Sequence, residues 1–131
     1  MSPAPSRRPR LPAKRQAFRR GHAAELICLW HLRLRGYRIL ARRFRVPSGE
    51  IDLIARRGKV LAAIEVKART TLAAASESIT GHQRRRIARA LEHFLALRPD
   101  LAGLTQRFDV MLVVPLRLPR HLADAWRPDI R

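Results

Sequence analysis

Two short stretches of this chain carry residue types that do chemistry together: Gly49-Glu50-Ile51-Asp52-Leu53-Ile54-Ala55 and Ile64-Glu65-Val66-Lys67. Each alternates apolar and polar residues with the period of a strand. Ile51 and Leu53 are therefore expected on one face with Glu50 and Asp52 on the other, and Ile64 and Val66 opposite Glu65 and Lys67. A two-residue turn at Gly58-Lys59, glycine first, pairs Arg57 with Val60 and hence Asp52 with Glu65 and Glu50 with Lys67. A four-residue turn shifts the pairing by two and keeps the face; only a three-residue turn separates the carboxylates. Carboxylates directly opposite one another repel by up to about a kcal/mol on an exposed sheet, and by more when half buried. A divalent cation removes that repulsion. Mg²⁺ (or Mn²⁺) takes hard oxygen ligands, commonly one or two carboxylates with water and a substrate phosphate, and Lys67 would stand beside the attacking water. The competing reading is a surface hairpin on which Glu50, Asp52, Glu65 and Lys67 form an ordinary solvated face.

The elements that must position these residues are legible from periodicity. A helix is expected from about Ala17 to Arg35, with Gly36 just past its end and Arg33 and Arg35 in its last turn. Ala23, Ile27, Trp30 and Leu34 form one apolar stripe and Gly21, Cys28, Leu29 and Leu32 a second, so this helix is expected to be packed on two sides. Glu25 falls within the second stripe, where a carboxylate is costly unless something satisfies it. Either a polar pocket between helix and sheet receives it, or it pairs with one of the many arginines. Three strands follow, about Arg38 to Arg45, Gly49 to Arg56 and Val60 to Arg69, as an antiparallel meander. A second helix is expected from about Gly81 to Leu97, opened by Thr80 and Gln83 as a capping box and closed by Pro99. Its core face is Ile87, Leu91, Phe94 and Leu95, with Arg85, Arg86, Arg89 and His93 opposite. Phe108 to Val114 reads as a buried strand, parallel to the one before the helix through a right-handed crossover. Leu116 to Leu122 reads as a short strand or a covering loop, and Trp126 as a residue that packs on the sheet.

Charge says what such a site would meet. The chain has 131 residues and a formal net charge of +18, from 28 Lys and Arg against 10 Asp and Glu. That excess implies a polyanionic partner, nucleic acid first. The predominance of arginine over lysine is discounted as a coding bias, whereas the scarcity of acids is not. Residues 1–16 contain prolines at 3, 5, 9 and 12, five basic residues and no acid, and read as a disordered basic arm rather than a transit peptide. Residues 17–131 then form one domain. No apolar run is long enough to span a membrane, no signal-peptide core follows the arm, and the single Cys28 allows neither an internal disulfide nor a cysteine zinc cluster. The expected compartment is the cytoplasm, with association with the nucleoid left open. The five histidines lack metal-ligand spacing, and there is neither a glycine-rich phosphate loop nor a serine elbow.

Together these residues resemble the YraN family of bacterial proteins, and through it the PD-(D/E)XK nuclease fold of archaeal-type Holliday junction resolvases. The matching stretches are Gly21-x-x-Ala24-Glu25, Gly36-Tyr37-x-Ile39-Leu40-Ala41-Arg42, Gly49-Glu50-Ile51-Asp52-Leu53-Ile54-Ala55, Glu65-Val66-Lys67-x-Arg69 and Arg107-Phe108-Asp109-Val110. The resemblance implies an α/β, restriction-endonuclease-like core of order α-β-β-β-α-β, a mixed sheet flanked by helices, in agreement with the order read from periodicity. It implies that Asp52 and Glu65 hold the catalytic metal, that Lys67 helps activate water, and that Glu25 completes the catalytic set. This chain departs from the family pattern at Gln83, where a lysine is usual, and at Arg43, where an asparagine is usual.

The expected activity is accordingly Mg²⁺-dependent hydrolysis of phosphodiester bonds in DNA, branched DNA included. Arg42, Arg43, Arg45, Arg84, Arg85, Arg86 and Arg89, with the arm, would grip the backbone largely without regard to sequence. DNA ranks ahead of RNA as the partner, no membrane is expected, and a homodimer is allowed. Two alternatives stand beside this: a non-catalytic DNA- or RNA-binding module that kept the nuclease fold, and an accessory protein whose basic face docks an acidic partner.

Overall fold

The computed structural model describes residues 13–71, 73 and 79–128, with side chains from residue 22 onward. Helix α1 (Ala13–Leu34) is followed by strands β1 (Arg38–Val46), β2 (Gly49–Arg57) and β3 (Val60–Ala68), helix α2 (Gly81–Leu97), a 3-10 turn (Pro99–Leu101), and strands β4 (Thr105–Val113) and β5 (Arg120–Trp126). The sheet is mixed, in the order β1-β2-β3-β4-β5, antiparallel throughout except for the parallel pair β3 and β4. The two helices flank it, an α/β architecture that agrees with a restriction-endonuclease-like core. Residues 1–12 of the expected basic arm lie outside the described residues, and the helix after them already runs from Ala13.

Local sequence dictates the ends of these elements. Past Leu34 the Gly36 amide donates to Arg33 O and the Tyr37 amide to Leu32 O, both at 3.0 Å, while Gly36 takes φ +87°. This glycine-dependent stop satisfies the last carbonyls of α1 and seats Tyr37 beside Leu32 in one apolar layer. The Gly58-Lys59 turn has Gly58 at φ +60° and joins Arg57 to Val60, the expected two-residue register. At the start of α2 the Thr80 hydroxyl accepts from the Gln83 amide and the Gln83 side chain accepts from the Thr80 amide, a complete capping box.

The core forms two layers, one on each face of the sheet. Ile87, Ala90, Leu91 and Phe94 of α2 cover Ile54, Leu61, Ala63, Phe108 and Val110, and the Phe44 and Phe94 rings meet edge to face at 5.3 Å. Ala24, Cys28 and Leu32 of α1 cover Leu53, Ala62, Ile64 and Met111 on the opposite face. Only one stripe of α1 is used. Contrary to the expectation of packing on two sides, Trp30 is 58% and Leu34 87% exposed, and Ile27 is exposed as well, because the sheet meets α1 from one direction only. The tail resolves as a strand: β5 pairs antiparallel with β4, and Trp126 is buried with its ring 4.4 Å from that of Phe108.

Candidate functional site

The β2–β3 ladder runs in the expected register from Arg57↔Val60 to Leu53↔Ile64. At Asp52 the regularity ends. Ile51 packs in the α2-side layer and Leu53 in the α1-side layer, so these two residues do not share a face as simple alternation predicts. Alternation breaks between them, and the Val66 amide donates to Asp52 Oδ2 at 2.7 Å where a backbone carbonyl would have served in a regular ladder. Asp52 and Glu65 lie close enough that each acts on the ionisation of the other. Lys67, two residues along β3 from Glu65, is buried, and its charge acts on Glu65.

The electrostatics of this pair are strained in one direction. Burial raises Asp52 to about 6, helped by the charges of Glu25 and Glu50 and opposed by the Val66 amide. Burial raises Glu65 to about 8, with Asp52 and Glu50 adding to it and Lys67 opposing. Near neutral pH the two carboxyls therefore share a proton, since both cannot ionise side by side out of water. A divalent cation can replace that proton, and two hard oxygen donors are the chemistry Mg²⁺ or Mn²⁺ takes, so these residues fit such an ion.

Glu25 is also buried, on the stripe of α1 that faces the sheet. Its Oε2 lies 2.7 Å from Arg43 Nε, with the side chains 9% and 27% exposed. Its charge still reaches Asp52 and Cys28, whose thiol is pushed up to about 12, chiefly by burial. Among the described residues no three His, Cys, Asp or Glu side chains gather closely enough to hold a metal ion. Asp52 and Glu65 thus stand as a pair, and Glu25 stands beside them with an arginine.

The expected phosphate-gripping arginines are spread differently. Gly49 sits so close to α2 that a Cβ there would fall 1.8 Å from Arg86 O, so only glycine lets the β1–β2 hairpin pack under that turn. This contact fixes the arginine-rich start of α2 beside the strand that carries Asp52. Arg84, Arg85 and Arg89 line a cleft of about 600 Å³ together with Glu92 and Arg127. Arg84 is also tied back to Ile79 O at 3.2 Å. On β1, Arg42 is exposed, Arg45 makes an exposed ion pair with Glu50 at 3.2 Å, and Arg43 has its Nε on Glu25. Gln83, where the family lysine is usual, is taken up by the helix cap.

A second acidic centre carries no expectation from motif spacing. Asp109, fully buried on β4, accepts from Arg107 Nε at 2.9 Å, from Arg107 Nη2 at 2.8 Å and from the Asp124 amide at 2.9 Å, and His121 Nε2 lies 2.7 Å away. Arg107 also donates to the Tyr37 hydroxyl at 2.6 Å. These contacts hold Asp109 below the usual carboxylate range despite its burial. The signal was present in the sequence as one carboxylate inside the apolar run Phe108 to Val114, two residues from Arg107, but its other partners, His121 and the Asp124 amide, come from β5.

Known proteins resemble this chain over most of its length. Residues 24–113 match the model of the uncharacterised protein family UPF0102. A UPF0102 protein of Parvibaculum lavamentivorans is 54% identical over 112 residues, covering 86% of this chain and 84% of its own length. One from Paramagnetospirillum magneticum is 54% identical over 122 residues, covering 89% and 94% respectively, and one from a Chelativorans species is 46% identical over 114 residues, covering 87% and 92%. Sharing a matched span that runs from the second half of α1 to the end of β4, and so contains Glu25, Asp52, Glu65 and Lys67, this chain belongs to the UPF0102 family, the family named YraN above.

Proposed function

We propose that this chain is a Mg²⁺- or Mn²⁺-dependent endonuclease that hydrolyses phosphodiester bonds in DNA, branched DNA included. The observation that carries the reading is the carboxyl pair of Asp52 and Glu65, each raising or holding the other's proton, with Lys67 buried on the strand of Glu65. A fold gains nothing structurally from two like charges held together out of water, whereas a metal-dependent hydrolase needs them. Bound there, the cation would supply Lewis acidity to a phosphate oxygen and to the attacking water. Asp52 and Glu65 would hold it after giving up their shared proton, and Asp52 would be kept in place by the Val66 amide. Lys67 would offset the negative charge that builds on the phosphoryl oxygens as water loses a proton to solvent and forms the new P–O bond, the ester P–O bond breaks and the departing oxygen takes a proton from solvent. Arg42, Arg85, Arg86 and Arg89 would carry the flanking phosphates, giving binding that weakens steeply with salt.

The test incubates purified protein with branched, duplex and single-stranded DNA, with and without Mg²⁺ or Mn²⁺. Metal-dependent cleavage that Glu65→Ala abolishes is expected. Cleavage that survives Glu65→Ala unchanged, or none on any substrate, removes the catalytic reading. A second reading, a non-catalytic DNA- or RNA-binding module, draws support from the Arg43 ion pair that engages Glu25. It expects tight binding indifferent to metal and to Asp52→Ala.

A further inference from the structure

Glu25 and Arg43 form a buried ion pair at the edge of the site, and four observations bear on what it does there. The Nε to Oε2 distance is 2.7 Å and the Glu25 side chain is 9% exposed. Ala24 and Cys28, on either side of Glu25 in α1, pack in one layer with Leu53 and Ile64, the chain neighbours of Asp52 and Glu65. Pairing of Arg42 with Leu53 and Phe44 with Ile51 sets Arg43 across from Asp52 in the β1–β2 register. Arg43 has φ +47°, a left-handed conformation that a side chain of this size adopts only where the surroundings compel it.

We infer that Arg43 is an internal counter-cation that withdraws Glu25 from metal binding and restricts the site at Asp52 and Glu65 to a single divalent ion. The inference rests on the metal-site reading proposed above. Three neighbouring carboxylates in a poorly solvated place need positive charge, which can come from a second free cation or from a tethered one. A guanidinium does not lose its proton near neutral pH, and its attachment to β1 keeps it permanently at hand. A second ion would have to displace the guanidinium from Glu25, which disfavours double occupancy. The left-handed backbone at position 43 suits a short polar residue better than arginine, so charge rather than conformation accounts for arginine there.

The test measures Mn²⁺ stoichiometry by titration calorimetry on the full chain at pH 8. Wild type and Arg43→Lys are expected to bind one ion per chain and Arg43→Asn two. Asparagine tolerates the positive φ and frees Glu25, and the double variant Arg43→Asn/Glu25→Gln should return to one. Two ions on wild type, or one on Arg43→Asn, overturns the inference while leaving the metal site standing. No Mn²⁺ on either overturns the metal site itself and the inference with it. Glu25→Gln gives an independent reading, since it keeps an acceptor for Arg43: Mn²⁺ affinity within about twofold of wild type is expected, and a tenfold loss would make Glu25 a ligand and overturn the assignment.

Discussion

Two acidic centres sit in this small basic domain, and they are built on opposite principles. Asp109 is fully buried, yet it accepts from both nitrogens of an Arg107 fork and from the Asp124 amide and lies against His121, so its carboxylate is held below its ordinary range. Asp52 and Glu65 are less deeply buried but face each other, and both are pushed up. Where every lone pair of a carboxylate is met by a donor, the group ties elements together: Asp109 links β4 to β5 and, through Arg107 and Tyr37, to the end of α1. Where carboxylates meet each other, the fold bears a cost that only a bound cation or proton relieves. Charge satisfaction, more than burial, separates architecture from a candidate site.

The largest effect that tests this contrast is on stability. Asp109→Ala leaves Arg107 and His121 without their shared acceptor and should cost about 3–5 kcal/mol in denaturant unfolding, as for other broken buried pairs. A loss under about 1 kcal/mol would undo the view of Asp109 as the architectural acid.

The pH dependence of the two centres should have opposite signs. Glu65 is raised to about 8 and Asp52 to about 6, so above their ordinary values, near 4, the folded state keeps protons that the unfolded chain has lost. Stability should then fall as pH rises from about 4 to 8, by about 1.4 kcal/mol per pH unit for each extra proton held. Asp109 acts the other way. Its folded value is depressed, so its contribution is present above pH 3.8 and is lost as pH falls through the folded value. Thermal melts at pH 5 and pH 8 with and without Mn²⁺ check this, because added cation should raise the melting temperature far more at pH 8. Equal shifts at both values would mean that the cation does not replace the shared proton.

Glu65→Gln removes one of the facing charges and keeps the shape of the side chain. It should stabilise the metal-free protein at pH 8 by about 0.5–2 kcal/mol while cleavage is lost, the exchange of stability for function found at strained sites. Destabilisation by this variant would place Glu65 with Asp109 among the structural acids. Smallest is Tyr37→Phe, which deletes one hydrogen bond to Arg107 and should cost about 0.5–1.5 kcal/mol with cleavage unchanged.

Much of this architecture follows from local sequence. Thr80 and Gln83 at capping-box spacing, Gly36 past α1 and Gly58 first in a two-residue turn each solve a backbone problem within a few residues, and each element end appears where those residues place it. The register that brings Asp52 toward Glu65 follows from the same turn, because a two-residue hairpin leaves one way to count back along the strands. Periodicity was a poorer guide where the answer depended on what lay opposite. The two apolar stripes of α1 look alike as patterns, and only the position of the sheet selects Cys28 and Leu32 over Trp30 and Leu34. The placement of Ile51 and Leu53 in opposite core layers is likewise invisible to alternation.

The sequence by itself determined the helix, the meander, the crossover and the presence of two carboxylates and a lysine on neighbouring strands, since these depend on turns, caps and periods that act over short distances. Only the tertiary structure decided how each acid is charged. Glu25 meets Arg43 across eighteen positions of chain, and Asp109 gathers Arg107, His121 and the Asp124 amide, while Asp52 and Glu65 find each other. A carboxylate's state is set by the donors and charges within a few ångströms of it, and in a chain with 28 basic residues nothing short of the fold chooses which of them arrive.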